Sequence, residues 1–440
     1  MSDGSARPNA FALLPFLVFA VFYVGFSLYA QHLGVDMPFY KVSMPVAFVV
    51  ASAFALCYNR KRKLEAKVES YAKGMGETNI MIMCLIFILA GAFATVAKGS
   101  GAVDAAVEVA QSLVPAKLIV AGVFCVSCLI SLAIGTSCGT IAAVTPIALG
   151  FAGPLQLSPG LLMGATIGGA MFGDNLSMIS DTTIAATRTQ GVEMRDKFFA
   201  NFLIALPAAV AALVLYCVSG SAAGAVAAPS ITPQHLLLVA PYVLVLGLAL
   251  VGLNVMLLLF SGTLLSALIG CLLGKLDVMG VLDLVGKGTL GMSETLIVAL
   301  LAGGLFRAVS DNGGIAWLTE RIAAFIKGPK TCELGVFVLV AVVNLFTANN
   351  TVAIVIAGPI AKACADRFRA RPVRIASVLD TASCVVQGLI PYGAQILIAV
   401  GVAKGLGAAV GTGSLIASLY YQPLLAIAVF VSMFVGRKTQ

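Results

Sequence analysis

The stretch from Gly164 to Thr183, GATIGGAMFGDNLSMISDTT, sets two carboxylates and several hydroxyls inside an apolar run of membrane length. At the centre of a spanning helix an Asp costs roughly 2.5 to 3.5 kcal/mol on insertion scales. Asp174 and Asp181 therefore need a partner, a water-filled cavity or a cation. Asp174, Ser177 and Asp181 recur at i, i+3 and i+7, so a continuous helix, turning about 100° per residue, would bring them to one face. Carboxylate, hydroxyl and carbonyl oxygens are ligands for hard cations, and a carboxylate removed from water can exchange its proton for such an ion. Sodium at Asp174 and Asp181, with Ser177 and Thr182 beside them, is the expected occupant. Gly168, Gly169 and Gly173 would let the helix break and expose carbonyls; the competing reading gives them to close helix packing, with the aspartates capping broken ends.

Two further polar clusters interrupt apolar runs. Thr136-Ser137-Cys138-Gly139-Thr140 precedes a run with Pro146, and Ala348-Asn349-Asn350-Thr351 precedes one with Pro359. Each presents hydroxyls, amides and free backbone groups, as broken helices do at transporter midplanes; helix capping at an interfacial loop is the plainer account. From the second half, Asp380 joins the expected cation and proton site, and Ser383, Gln387 and Tyr392 are expected to complete it, with Gln395 nearby. Glu77 and Glu294 open apolar spans, where capping is the expected role over proton relay.

Soluble chemistries are excluded by context. Gly135-Thr-Ser137-Cys-Gly139 fits GxSxG, but its flanks are apolar helix and the only later histidine is His235, so no nucleophile elbow or triad forms. There is no GxxxxGK[ST], hence no ATP-driven motor in this chain, and no enzyme activity or cofactor is expected. Cys125 and Cys128 lack a second pair at zinc-site spacing and read as buried thiols.

These residues must be positioned by membrane helices. The 440 residues are 60% hydrophobic and 10% charged, with mean hydropathy +1.03, which describes an integral membrane protein. The net charge of +8 then encodes orientation rather than nucleic-acid binding. Spans are expected at Phe11 to Ala30, a retained helix rather than a signal, at Val42 to Tyr58, at Asn79 to Ala97 and at Phe198 to Val218. Two more follow, at about His235 to Leu253 and Val255 to Leu273. Asn59 to Lys73 carries six basic and two acidic residues and reads as a cytoplasmic loop.

The chain also repeats itself. Gly74-Met-Gly-Glu-Thr78 returns as Gly291-Met-Ser-Glu-Thr295, Gly91-Ala-Phe-Ala-Thr-Val96 as Gly304-Leu-Phe-Arg-Ala-Val309, and the hairpin tip at 135–140 as 346–351. Asp174, Ser177 and Asp181 are matched by Asp380, Ser383 and Gln387 at equal spacing, although extending the hairpin's offset pairs Ser180 with Pro391 instead. If the long interrupted runs dip in and return, each half crosses five times and the second half starts on the opposite face. The basic clusters at Arg60 to Lys73 and Lys362 to Arg374 then share the cytoplasmic side. The expected fold is an all-α polytopic membrane protein of two inverted repeats, each with a re-entrant hairpin and a broken helix. The first repeat covers 1–218 (hairpin about 117–151, broken helix about 160–187) and the linker 219–234; the second covers 235–440 (hairpin about 333–362, broken helix about 375–400). Both termini are expected inside.

The motif Gly173-Asp174-Asn175-Leu176-Ser177 with Ser180-Asp181-Thr182-Thr183 resembles the GD-x-LSPLSDTT signature of the NhaC-type sodium/proton antiporters, and Asp380 with Pro391-Tyr-Gly393 resembles that family's later acid and PWN-like segment. Asn175 stands where a basic residue is common, and Met178 where Pro is usual. The resemblance implies secondary active transport of sodium and protons in the inner membrane through inverted repeats with hairpins. The family also contains carriers of amino acids and small organic acids, so an ion-coupled carrier of such a substrate is the alternative. The expected partners are the bilayer, sodium and protons, and a homodimer is open.

Overall fold

The computed structural model describes residues 7–33, 43–59, 62–220, 231–251, 253–408 and 410–434, and among these every regular element is helical. A 3-10 turn (Ala10–Leu13) leads into α1 (Leu14–His32), followed by α2 (Met44–Cys57), α3 (Leu64–Met75), α4 (Thr78–Gly99) and α5 (Ala102–Leu113). A second turn (Ala116–Leu118) opens α6 (Ile119–Ile134), and α7 (Ser137–Gly150), α8 (Pro159–Leu176), α9 (Asp181–Gln190) and α10 (Met194–Gly220) complete the first half. The second half contains α11 (Pro233–Leu250), α12 (Val255–Leu272), α13 (Val278–Gly291), α14 (Ser293–Asp311), α15 (Gly314–Phe325) and α16 (Pro329–Thr347). It ends with α17 (Asn350–Phe368), α18 (Pro372–Gln387), α19 (Ala394–Gly405), the short α20 (Thr412–Ala417) and α21 (Tyr421–Phe434).

Six stretches among the described residues are long and apolar enough to cross a membrane by length and composition, Ala10–Ala30, Thr78–Gly99, Ala116–Ile134, Met194–Gly220, Val255–Leu272 and Val278–Asp311. Their outer faces carry large apolar side chains such as Leu203 and Leu264, while alanine and glycine line the helix contacts. That is the pattern of a multi-pass membrane protein, where lipid is as apolar as leucine and close backbone packing supplies the attraction.

Two elements depart from the sequence reading. The basic segment expected as a loop contains α3, whose Tyr71 and Gly74 are buried against α14 while Glu69 and Lys73 pair across one exposed turn at 2.7 Å. Helix α13 had no counterpart in the expected spans; it packs on α4, where the backbones of Gly288 and Gly91 meet so closely that a Cβ at Gly91 would lie 2.2 Å from the Gly288 carbonyl oxygen. The expected 219–234 linker falls mainly on 221–230, outside the described residues, as do Arg60, Lys61 and the terminal residues 1–6 and 435–440.

Local conformations recur between the halves. Helix α6 stops at Gly135 and α16 at Ala348, both left-handed (φ +75° and +50°), and the next residues, Thr136 and Asn349, are extended caps that start α7 and α17. Gly135 adopts this conformation freely, whereas Ala348 does so at a cost of roughly 1 kcal/mol. Pro146 and Pro359 lie inside α7 and α17, and Pro159 and Pro372 begin α8 and α18. Ser131 Oγ donates to the Ala170 carbonyl (2.5 Å), and Asn344 Nδ2 to that of Ser383 (2.9 Å). All these pairs are 213 positions apart (348 minus 135, 383 minus 170). At that offset Asp174 corresponds to Gln387 and Ser180 to Gly393, which corrects the sequence register that paired Asp174 with Asp380. Spacing of like residues had been matched there, and backbone conformation selects a different alignment.

Candidate functional site

Helix α8 ends at Leu176, residues 177–180 are non-helical, and Ser180 caps α9 by accepting from the Thr182 amide. Asp174, Ser177 and Asp181 therefore do not share a helix face, because the helix that would align them stops between them. Asp174 is buried in the last turn of α8 and Asp181 is exposed at the first residue of α9. The glycines ahead of Asp174 do not break α8. A Cβ at Gly169 would lie 2.4 Å from the Phe124 carbonyl oxygen, and one at Gly173 would lie 2.5 Å from Ser131 Cβ and Leu132 N. They let α8 lie against α6, which is the packing reading.

Asp174 accepts Ser137 Oγ at 2.7 Å on one carboxylate oxygen and Ser180 Oγ at 2.5 Å on the other. Ser180 also contacts Thr182 Oγ1 at 2.9 Å. From Ser137 the network crosses into the second half. Gln395 Nε2 donates to Ser137 Oγ (3.0 Å), Gln387 Nε2 donates to Gln395 Oε1 (2.9 Å), and Gln387 Nε2 also reaches the Ala348 carbonyl (2.8 Å). The α6–α7 and α16–α17 junctions and the α8–α9 and α18–α19 breaks thus share one chain of hydrogen bonds. Gln387 Oε1 is left buried with no protein partner among the described residues.

A cavity of about 100 Å³ lies along this network. Its polar wall includes Thr136, Ser137, Asp174, Asp181 and Thr182 from the first half, and Asn349, Asn350, Thr351, Gln387 and Gln395 from the second. Met83 and Ile86 of α4 close an apolar side. The polar lining comes from helix ends, so partial charges of both signs converge: carbonyl-rich C-termini of α6, α8, α16 and α18 and amide-rich N-termini of α7, α9, α17 and α19. A small cation with a few oxygen ligands suits this setting.

Asp380 lies elsewhere. It forms an ion pair with Lys197 of α10, with the side chains 0% and 1% exposed. Lys197 Nζ also donates to the Asn175 carbonyl (2.8 Å) and Thr183 Oγ1 (2.7 Å). Asn201 Nδ2 lies 2.9 Å from Asp380 Oδ2 and 3.1 Å from both oxygens of Asn175. This cluster ties α10 and the first broken helix to α18, and Asp380 does not line the cavity. Sequence reasoning missed Lys197 and Asn201. Their signal was present as two polar residues at i, i+4 in α10, but the expected span began at Phe198, four residues after the helix starts at Met194, which left Lys197 outside it.

Other expected residues are dispersed. Ser177 is buried, and among the described residues its Oγ meets only the Ile179 amide, at 3.4 Å. Thr140 and Ser383 bond back within their own helices, to the carbonyls of Thr136 (3.0 Å) and Asp380 (2.9 Å). Tyr392 donates to the Leu345 carbonyl at 2.6 Å and lines an apolar cleft with Phe16 and Phe19. Glu77 caps α4 through the Asn79 and Ile80 amides, and Glu294 pairs with Lys404.

The Na+/H+ antiporter family matches residues 10–221 and 226–436. The Na(+)/H(+) antiporter NhaC of Bacillus subtilis (strain 168) is 24% identical over 404 residues, covering 83% of this chain and 86% of that one. The malate-2H(+)/Na(+)-lactate antiporter of the same organism is 26% identical over 218 residues, covering 48% of this chain and 44% of its own length. An uncharacterized Na(+)/H(+) antiporter of Haemophilus influenzae is 31% identical over 110 residues, 25% of this chain and 23% of that one. The chain thus spans less than half the length of these last two relatives. Among solved structures, Neisseria gonorrhoeae MtrF aligns with 90% of this chain and 94% of its own at 14% identity and a TM-score of 0.39.

Proposed function

The chain belongs to the Na+/H+ antiporter family, and from that premise we propose that it exchanges sodium for protons by alternating access, with Asp174 as the exchanging carboxyl. The observation that carries this reading is the setting of Asp174. It is a buried carboxyl on a cavity where two hairpin tips and two helix breaks meet, held by hydroxyls with no basic partner among the described residues. A carboxylate so placed needs either a proton or a cation, and the two compete for the same oxygens. Ser137, Ser180 and Gln387 Oε1 supply further oxygens of the kind sodium takes, and Asp181 at the mouth adds attraction for cations.

The architecture in this reading is two inverted repeats, 1–218 and 235–440, with α6–α7 and α16–α17 as re-entrant hairpins and both termini on the cytoplasmic side of the inner membrane. The recurrence at 213 positions supports it. So does the exchange of partners in which α3 packs on α14 and α13 on α4. Rocking one half against the other about the shared cavity would alternate its access.

The test is sodium-driven proton flux in proteoliposomes. Wild type is expected to exchange, and Asp174→Asn, which keeps the shape and removes the charge, is expected to abolish exchange while eluting as a folded protein. Undiminished exchange by Asp174→Asn would overturn the assignment. A second reading, coupled transport of an amino acid or small organic acid, draws on the carboxamide wall of Asn349, Asn350, Gln387 and Gln395, whose amides can donate to a carboxylate. Sodium-enhanced thermal stabilisation by such an acid would favour it, and none across a screen of both classes would remove it.

A further inference from the structure

Lys197 and Asp380 are the most deeply buried ion pair among the described residues, and the sodium/proton reading of the cavity assigns them no step. We infer that Lys197 is a fixed counter-charge to Asp380, leaving Asp174 alone to change charge during transport, so that the exchange is electroneutral, one sodium for one proton. This rests on the sodium/proton reading above.

Donor counting supports an ammonium at Lys197. Lys197 Nζ has three acceptors, the Asp380 carboxylate, the Asn175 carbonyl and Thr183 Oγ1, and an ammonium has three protons to meet them where a neutral amine has two. Asp380 Oδ2 is already occupied by Lys197 and Asn201, and the remaining oxygen lies 4.0 Å from the Cys384 thiol. A cation at Oδ2 would have to displace Lys197 within a fully buried cluster. Asp380 also lies off the cavity, so an ion held by Asp174 does not meet it.

Among the described residues, the second half adds no titrating group to the cavity. The residue 213 positions beyond Asp174 is Gln387, a carboxamide whose charge does not change. Asp181 is exposed at the first residue of α9, and the hydroxyls that hold Asp174 are those of Ser137 and Ser180. With Asp174 protonated or with Asp174 carboxylate holding sodium, the buried region carries the same net charge. Each half-cycle then moves no net charge, and membrane potential does no work on it.

The experiment uses purified full-length protein in liposomes with opposing sodium and proton gradients, at zero potential and at −100 mV set by potassium and valinomycin. With equal concentration ratios of the two ions, net flux is expected to be zero at both potentials. One net charge per cycle would instead move the balancing ratio about 50-fold per 100 mV, and that shift would overturn the inference while leaving antiport itself intact. The absence of any sodium-dependent proton flux would overturn the antiport reading and the inference with it. The double variant Lys197→Met/Asp380→Leu is expected to balance at the same ratio as wild type, whatever its rate. A different balancing ratio in that variant would show that the pair carries protons or ions, and would overturn the fixed counter-charge.

Discussion

Replacing Lys197 by Met strands the Asp380 carboxylate where no solvent reaches it, since the two side chains are 1% and 0% exposed. Asp380 would keep Asn201 Nδ2 at 2.9 Å, and the Thr183 hydroxyl would lose its donor at 2.7 Å. Breaking one side of a buried pair costs about 3–5 kcal/mol, and each lost hydrogen bond adds about 1 kcal/mol. Lys197→Met should therefore lose roughly 4–6 kcal/mol, and Asp380→Leu, which strands the ammonium, roughly 3–5 kcal/mol. The double variant Lys197→Met/Asp380→Leu removes both charges and leaves the Asn175 carbonyl bonded to Asn201, so its loss should stay within about 2 kcal/mol. The coupling between the two sites is then about 5 kcal/mol or more. Reversible unfolding of the three variants and wild type in mixed detergent micelles would measure it. Additive losses, with the double variant less stable than either single one, would refute the buried pair as an interacting unit.

Asp181→Asn should keep exchange and raise the apparent KM for sodium at low ionic strength, with the difference fading in high salt because the carboxylate is exposed and screened; loss of exchange as complete as in Asp174→Asn would return the exchanging role to Asp181. Gly173→Ala must force α6 and α8 apart, since its Cβ would lie 2.5 Å from Ser131 Cβ, and is expected to cost about 1–3 kcal/mol in a thermal or chemical melt; a neutral substitution would contradict the close packing. Tyr392→Phe removes only the bond to the Leu345 carbonyl, so stability should fall by about 1 kcal/mol with the sodium KM unchanged; a tenfold change in KM would place Tyr392 back at the site.

Much of the candidate site was legible because polar residues in an apolar run have few explanations. Asp174 and the two hairpin tips were identified from that contrast alone, and the structure gathers them on one cavity. Spacing misled where it assumed an unbroken helix. Ser177 follows Asp174 by three residues, yet the chain leaves the helix at Ser177 and returns at Asp181, so it is Ser180, six residues on, that bonds Asp174. Ser383 and Tyr392 share their neighbourhood in sequence with Gln387, but they turn to their own helix and to an apolar cleft.

By itself the sequence determined that this is a helical membrane protein with costly carboxyls and hydroxyls at membrane depth, because hydropathy and the price of burying charge are properties of residue types. Which carboxyl faces a cavity and which is neutralised depends on neighbours distant in the chain. Asp174 meets Ser137 from 37 residues away, and Asp380 is approached by Asn201 from 179 away. Only the tertiary structure decided that Asp380 has a lysine and Asp174 has hydroxyls, because a buried charge takes its character from the groups packed against it.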